Sequence, residues 1–550
     1  MNHNWRPFSL FCLSIILLIG CARKSGEDDK AIFKYNESVG IQSLDPAYAS
    51  GQAALWPCNM LYNGLVDLDV NLQVIPMIAK SWSISEDGKT YTFLLRNDIF
   101  FHQNSQFDFK KPRKVTAHDF VYSLNRILDP EVASPGAWIF AQVDRDSKGK
   151  PSFTALNDSV FEIRLKAPFP PFLSILAMKY CSVVPKEVVE YYGKEFRKHP
   201  VGTGPFQFQM WEEGIKLVLR KNPLYFEKDE KGVQLPYLDG VAISFIIDKQ
   251  AMFMEFMKGN LDFMSGIDPC YKDALLTKEG KHNPKYQKKI QLQTGPYLNT
   301  EYLGFLLLDK NNDKNNPLLI KEVRQAINYG FDREKMIRYL RNGIGYAGNS
   351  GFVPKGIPSY DTSRVKGYHY DPIKAAELLK KAGFPGGKGL PPIQLSVSAA
   401  YLDLTQYIQH ELSKIGITLK LDVQQAAQQR QMMRNYQLPF FRGSWIADYP
   451  DGENYLSLFY SKNFQPQGSN YTHYENPTFD QIFEKSQQII DEKERNNYYT
   501  HLDSMLMEEA PVVVLFYDQI IRFTQKSING LDMPPTNMLN LKKVQKKGTF

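Results

Sequence analysis

The sequence predicts an α/β protein divided into two or more lobes, and three observations carry that prediction. The chain has 550 residues, more than one hydrophobic core usually serves, so two to four domains are expected. Runs such as 90–96 (TYTFLLR) and 160–166 (VFEIRLK) alternate apolar and polar residues at least in part, the period of a half-buried strand. Capped helices lie between such runs, but strand and helix never settle into the regular βαβ rhythm of one doubly wound sheet.

The elements follow in order. Thr116-Ala-His-Asp119 opens a helix in the manner of a capping box, and Phe120, Val121, Leu124, Ile127 and Leu128 give it one apolar face. Residues 321–328 place Val323, Ala326 and Ile327 on one side, and Asp332 caps a second helical stretch with Met336, Ile337 and Leu340 inward. The clearest helix starts at Asp371, carries Pro372 at its first position, buries Ala375, Ala376, Leu378 and Leu379, and stops at Gly383. Another covers 404–415 and ends at Gly416, ahead of the strand ITLKLDV. Residues 479–509 are expected to be helical, and PVVVLFY at 511–517 to be a buried strand.

Composition narrows the class. Hydrophobic residues at 43% and charged residues at 23% describe an ordinary globular chain rather than a disordered or membrane-embedded one. A net charge of +7 is small for this length. The basic runs at 110–114 and at Lys542, Lys543, Lys546 and Lys547 are isolated and read as solvated surface, so no nucleic-acid partner is expected. Aromatic residues make up 13%, which also suits a cleft that grips ligands through flat faces with polar tips.

Residues 1–20 read as a secretory leader. Arg6 lies in a short polar start, 8–19 (FSLFCLSIILLI) form an apolar run, and small Gly20 precedes Cys21. About 20 apolar residues are needed to span a bilayer, so the run fits a leader better than a membrane helix. Leu18-Ile19-Gly20-Cys21 is similar to the bacterial lipoprotein box, in which the cysteine receives the lipid and becomes the first residue. The polar stretch Ala22–Lys30 suits a tether. With Cys21 lipidated, Cys58, Cys181 and Cys270 remain, and nothing in their spacing decides whether two of them pair.

Chemical motifs are mostly excluded. Gly343-Ile-Gly345-Tyr-Ala-Gly348 matches GxGxxG by letter, but it follows a helix and opens none. No P-loop, HExxH or Gly-x-Ser-x-Gly occurs, and the nine histidines are scattered, so no catalytic residue, cofactor or metal is assigned. One acidic cluster stands out, Trp445-Ile-Ala-Asp448-Tyr-Pro-Asp451-Gly-Glu453, with Arg442 upstream. Asp451 and Glu453 are expected in a solvated turn. Asp448 lies between an apolar strand (PFFRGSW) and that turn, where strand ends meet clefts. A metal loop, a glycosidase pair and a receptor for an ammonium group all remain open for the cluster.

Several islands then resemble one family, the extracytoplasmic solute-binding proteins of ABC importers, oligopeptide and dipeptide class. They are Ser43-Leu-Asp-Pro46, Leu61-Tyr-Asn-Gly-Leu65, Pro76-Met-Ile-Ala-Lys-Ser-Trp82 and Asp87-Gly-Lys-Thr-Tyr-Thr-Phe93. Val115-Thr-Ala-His-Asp-Phe-Val-Tyr-Ser123 with Asp129-Pro130, Gly202-Thr-Gly-Pro-Phe206, Val323-Arg-Gln-Ala-Ile327 with Asp332-Arg333, and Ala382-Gly-Phe384 follow in the family's order.

The resemblance implies a two-lobed clamshell, class II-like, with an extra third domain. Its expected division is a signal peptide at 1–20 and a tether at 21–30. Lobe I takes 31–62, 194–298 and 516–550, the extra domain 63–193, and lobe III 299–515. It implies capture of short peptides between the lobes and delivery to an ABC permease by a monomer lipid-anchored at the cell envelope, facing periplasm or exterior. Asp448 inherits a contact to the ligand's α-ammonium, Arg442 a contact to its carboxylate, and Trp445 a wall; Ser50, Gly51 and Gln52 border the ligand. An acidic residue stands in some members where Ser50 does. The same scaffold could instead take a sugar, a metal chelate or a haem-like molecule.

Overall fold

The structure is a computed structural model and describes residues 30–107, 111–268, 270–308 and 316–547. The leader and Cys21 lie outside the described residues, as does Lys110 of the basic run. Among the described residues no helix is long and apolar enough to cross a membrane.

The strands run, in chain order, β1 (Ile32–Asn36), β2 (Val66–Leu68), β3 (Val74–Pro76), β4 (Ala79–Ile84), β5 (Thr90–Leu95), β6 (Phe153–Asn157), β7 (Val160–Arg164), β8 (Phe206–Glu212) and β9 (Lys216–Lys221). Then come β10 (Gly240–Ser244), β11 (Phe263–Ser265), β12 (Ile290–Phe305), β13 (Tyr346–Ala347), β14 (Ile393–Ser398), β15 (Leu419–Gln424), β16 (Phe440–Ile446) and β17 (Val512–Gln525). One large sheet has the order β15-β14-β16-β12-β17-β11-β1-β10-β9-β8, with β13 added to β17. A separate four-stranded sheet has the order β4-β5-β7-β6, and β2 and β3 form a hairpin beside it.

The long strands β12 and β17 make the large sheet into two lobes. Ile290–Pro296 pair with 519–525 in the first lobe, and Thr300–Gly304 pair with 512–517 in the second. The ladder breaks between Pro296 and Thr300. Proline has no N–H to continue a ladder, and a two-strand crossing with a local break is the place where a clamshell bends. The expected strand at 511–517 is therefore only the first half of a strand that crosses between lobes.

Packing assigns the smaller sheet to the first lobe. Phe33, Tyr35, Leu217 and Ile243 of the large sheet share one buried cluster with Phe93, Phe120, Phe161 and Ile163 of the small domain. The second lobe has cores on both faces of its sheet, one with Leu303, Ile327 and Leu395, the other with Tyr302, Phe352 and Tyr499. The small domain also touches the second lobe. Leu72, at the tip of the β2–β3 hairpin, is buried among second-lobe residues, and Tyr449 is buried in the cluster of the first lobe and small domain.

Local expectations and structure agree where a cap or a period decides. The helix Ala117–Ile127 begins as the box requires, with the Asp119 carboxylate accepting from the Thr116 N–H at 2.8 Å. Asp332 caps Arg333–Leu340, and Asp371 caps Pro372–Lys381 with Gly383 at φ +93° beyond it. Three expectations fail. Ala376 is exposed rather than buried, because the inward stripe is narrow and holds only Ala375, Leu378 and Leu379. The stretch 479–509 is two helices, Pro477–Ser486 and Glu492–Glu509, the second restarted by the Asp491 cap. The C-terminal lysines are not simply solvated, since Lys542 pairs with Glu227 at 2.7 Å and Lys546 with Asp262 at 2.8 Å. Cys58, Cys181 and Cys270 are all free thiols.

Candidate functional site

The loop holding Ser50, Gly51 and Gln52 is braced from three sides. Asp45 caps the turn by accepting from the Ala47 N–H at 3.0 Å, and it takes two bonds from the Arg126 guanidinium at 2.9 and 2.5 Å. That pair fastens the loop to the small domain, helped by the Ser134 hydroxyl on the Ala47 carbonyl at 2.6 Å. Gly51 has φ +79° at the start of the helix Gln52–Leu61, a conformation that favours glycine. The Gln52 carbonyl oxygen accepts from the Asn537 side chain at 2.9 Å. Ser50, Gly51 and Gln52 are exposed.

Tyr180 of the small domain connects this loop to the second lobe. Its ring lies so close over Gly136 that a Cβ there would come within 2.5 Å of it. The phenol lies beside Ser50, and burial, followed by the nearby charge of Asp448, raises its pKa. Ser50, Tyr180 and Asp448 thus meet from the first lobe, the small domain and the second lobe.

Asp448 follows the end of β16. Its backbone N–H donates to the Asn454 side-chain amide oxygen at 3.2 Å, and the same oxygen accepts from the Trp445 indole at 2.9 Å. Surrounding protein pushes the Asp448 carboxyl above the usual carboxylate range, with the nearby Asn454 side chain opposing the rise, although the residue is open to solvent. Such a combination is that of a carboxylate in a recess. Among the described residues no cation forms an ion pair with it. An accessible, partly desolvated, unpaired carboxylate is chemically suited to an ammonium group.

Arg442 is placed differently. It lies diagonally across the β12–β16 ladder from Glu301, whose register partner is Ser444, and its guanidinium is bonded to the Glu301 carboxylate. The guanidinium carbon lies 3.4 Å from the centre of the Tyr401 ring. Asn299 donates to Glu301 at 3.0 Å. Burial raises the Glu301 carboxyl pKa, and Arg442 opposes that rise. Trp445 stands on the opposite face of β16, half-buried against the second-lobe core and tied to Asn454. The structure therefore gathers Ser50 and Asp448, adds Tyr180 and Asn454, and directs Arg442 and Trp445 to opposite faces.

The expected solvated turn after Asp448 is buried instead. Glu453 is 5% exposed, and the Tyr449 hydroxyl donates to it. Asp451 lies 3.8 Å from Arg495. Desolvation pushes the Glu453 carboxyl to about 7 and raises that of Asp451. Tyr449 packs into the buried cluster of the first lobe and small domain, whereas Asp451 and Glu453 are enclosed by Arg495, Tyr499 and Gln487 of the second lobe. A groove of about 1840 Å³ lies between first lobe and small domain and shares only Ser50 with the expected residues. Among the described residues no group of histidine, cysteine or carboxylate side chains could hold a metal ion.

Tyr180, Glu301, Tyr401 and Asn454 are not expected from the sequence. Only Asn454 has a local signal, its place six residues after Asp448 in the same segment. The other three come from remote parts of the chain.

The chain resembles known proteins over nearly its whole length. The model for "Bacterial extracellular solute-binding proteins, family 5 Middle" matches residues 73–467. The dipeptide-binding protein of Escherichia coli K12 is 26% identical over 493 residues, covering 86% of this chain and 87% of that protein. The glutathione-binding protein GsiB of E. coli O6:K15:H31 is 27% identical over 500 residues, 90% of each chain. The Helicobacter pylori periplasmic binding protein DppA, solved with the peptide STSA, superposes with a TM-score of 0.72 at 26% identity, covering 94% of this chain and 98% of that one. The two-lobed sheet with its hinge strands, the added small domain and the match to the family model agree, and the chain belongs to family 5 of the bacterial extracellular solute-binding proteins.

Proposed function

We propose that this chain is a lipid-anchored receptor that binds short peptides between its two lobes and passes them to an ABC permease. The observation that carries the reading is Asp448, unpaired and solvent-reaching where all three parts of the molecule meet. A peptide's α-ammonium would supply the missing cation, with Ser50 and Tyr180 beside it. Beyond Phe441, β16 has no strand partner on its outer edge among the described residues, so an extended ligand could add there through main-chain hydrogen bonds. Relatives described as binding a dipeptide, glutathione or the peptide STSA favour this class of cargo.

The anchor is read from the sequence. Cys21 would carry the lipid and hold the receptor at the membrane beside its permease; lipid chains contribute about 0.8 kcal/mol per buried methylene. A glycosidase reading has little support, because Asp451 is half-buried beside Arg495 and Glu453 is buried, and neither can join Asp448 across a cleft.

Native mass spectrometry of freshly purified mature protein tests the cargo. Wild type should carry short peptides and Asp448→Asn should not. An empty wild type, or a variant equally loaded, overturns the peptide assignment. Radiolabelled palmitate should label wild type and not Cys21→Ser.

A further inference from the structure

The face of the second-lobe sheet that bears Arg442 carries cations that are already neutralised, and this bears on which end of a ligand the protein reads. The face shared by Leu303, Glu301 and Asn299 on β12 with Phe440, Arg442, Ser444 and Ile446 on β16 changes character along its length. Phe440 and Leu303 are core, the Arg442 and Glu301 side chains are 14% and 4% exposed, and Ser444 and Ile446 are open to solvent. Arg442 therefore sits where the face emerges from the core beside the unpaired edge of β16.

Its charge is spent there. Glu301 holds one side of the guanidinium and Tyr401 covers its plane. Its Nε is buried with no acceptor, and the whole side chain is only 14% exposed. A second arginine nearby is held in the same way, Arg341 pairing with Asp518 at 2.7 Å. Tyr401 and Tyr297 sense both carboxylates, which places the two pairs in one electrostatic neighbourhood. Two arginines and two carboxylates cancel, and Asp448 is left as the uncompensated charge.

The geometry points to Glu301 as an internal carboxylate that occupies Arg442 in place of a ligand's own, so that the receptor reads the free amino end and neutral backbone of a peptide without a contact to its terminal carboxylate. The favoured cargo is then oligopeptides with a free amino terminus whatever follows at the other end, including amidated peptides and those whose carboxylate projects from the cleft. Removing a buried partner normally leaves an unpaired charge that seeks a new one. Glu301→Gln keeps the shape, and it should release Arg442 to a ligand carboxylate. This inference rests on the peptide reading of the same cleft.

The test is calorimetry on mature protein with trialanine, tetra-alanine and penta-alanine, each as free acid, C-terminal amide and N-acetyl derivative. Wild type should bind acid and amide within about threefold of each other, and the N-acetyl forms at least tenfold more weakly. Glu301→Gln should bind the acid at least tenfold better relative to the amide than wild type does. A wild-type preference of tenfold or more for the acid over the amide overturns the inference, even should the variant fail to fold. An unchanged ratio in a folded Glu301→Gln overturns it as well. If no oligoalanine form binds, or N-acetylation has no effect, the peptide reading itself falls and takes this inference with it.

Discussion

Trp138 of the small domain and Tyr449 of the second lobe bring their rings to 6.4 Å between centroids, with planes 33° apart. Trp138 is 45% exposed whereas Tyr449 is 6% exposed, so the tryptophan lies on the outer side of the packing that Tyr449 enters. Because Tyr449 follows Asp448 in the chain, the contact ties the position of that carboxylate to the approach of the two parts. Aromatic pairs contribute about 0.5–1.5 kcal/mol beyond area burial. Trp138→Ala should therefore weaken peptide binding roughly two- to tenfold, mainly through faster dissociation seen by stopped-flow fluorescence. Unchanged dissociation would exclude the pair from the ligand-bound form.

Asp448 gives the binding a pH dependence. Burial raises its carboxyl pKa in the free protein, and an ammonium ligand requires the ionised form. Affinity should hold near neutrality and fall as pH drops through that raised pKa, earlier than for an ordinary aspartate. Asp448→Asn should lower affinity at pH 7 by one to three orders of magnitude, since breaking a buried charged pair costs about 2–5 kcal/mol. It should also flatten the pH profile. A profile identical to wild type would assign the titration to another group.

Glu453 bears on stability rather than on binding. Its carboxyl is pushed to about 7 by burial, with Asp451 adding to the rise and bonds from Tyr449 and Gln487 opposing it. Asp503 is also pushed to about 7, although it accepts N–H bonds from Phe352 and Val353. The folded chain keeps these protons at a pH where the unfolded chain has lost them. Stability should then be higher near pH 5, decline as pH rises through 7, and stay level above. One pH unit corresponds to about 1.4 kcal/mol, so Glu453 alone costs the folded state up to roughly 3 kcal/mol at pH 8. Glu453→Gln should raise Tm at pH 8 and leave it nearly unchanged at pH 5, as differential scanning fluorimetry would read.

Gly204 is required by a close approach. Its N–H donates to the Leu61 carbonyl at 2.9 Å, and its own carbonyl accepts from Asn222 at 2.9 Å while the His102 ring lies 3.0 Å away. A Cβ would lie 2.4 Å from the Met60 carbonyl oxygen. Gly204→Ala should destabilise the protein by about 1–3 kcal/mol or more, because backbone must move to make room. A Tm within one degree or so of wild type would contradict that packing.

The thiols should differ in reactivity. Cys58 and Cys181 are buried and burial pushes both pKa values up, while Cys270 is exposed. In a Cys21→Ser form of the mature chain, one thiol should react with Ellman's reagent under native conditions and three after denaturation.

By itself the sequence determined what depends on neighbours along the chain. The caps at Thr116, Asp332 and Asp371, the alternating strands at 90–96 and 160–166, and the stop at Gly383 all follow from spacing a few residues long. Asp448 was legible for the same reason, since a polar residue at the end of an apolar strand is unusual wherever it occurs. Only the tertiary structure decided whether a charge is free. Glu301 lies 141 residues from Arg442 and neutralises it, Tyr180 comes to Ser50 from a distant part of the chain, and Gln487 and Arg495 come from later in the chain to enclose Glu453 and Asp451. Desolvation and ion pairing depend on what stands within a few ångströms in space, and no local pattern encodes those partners.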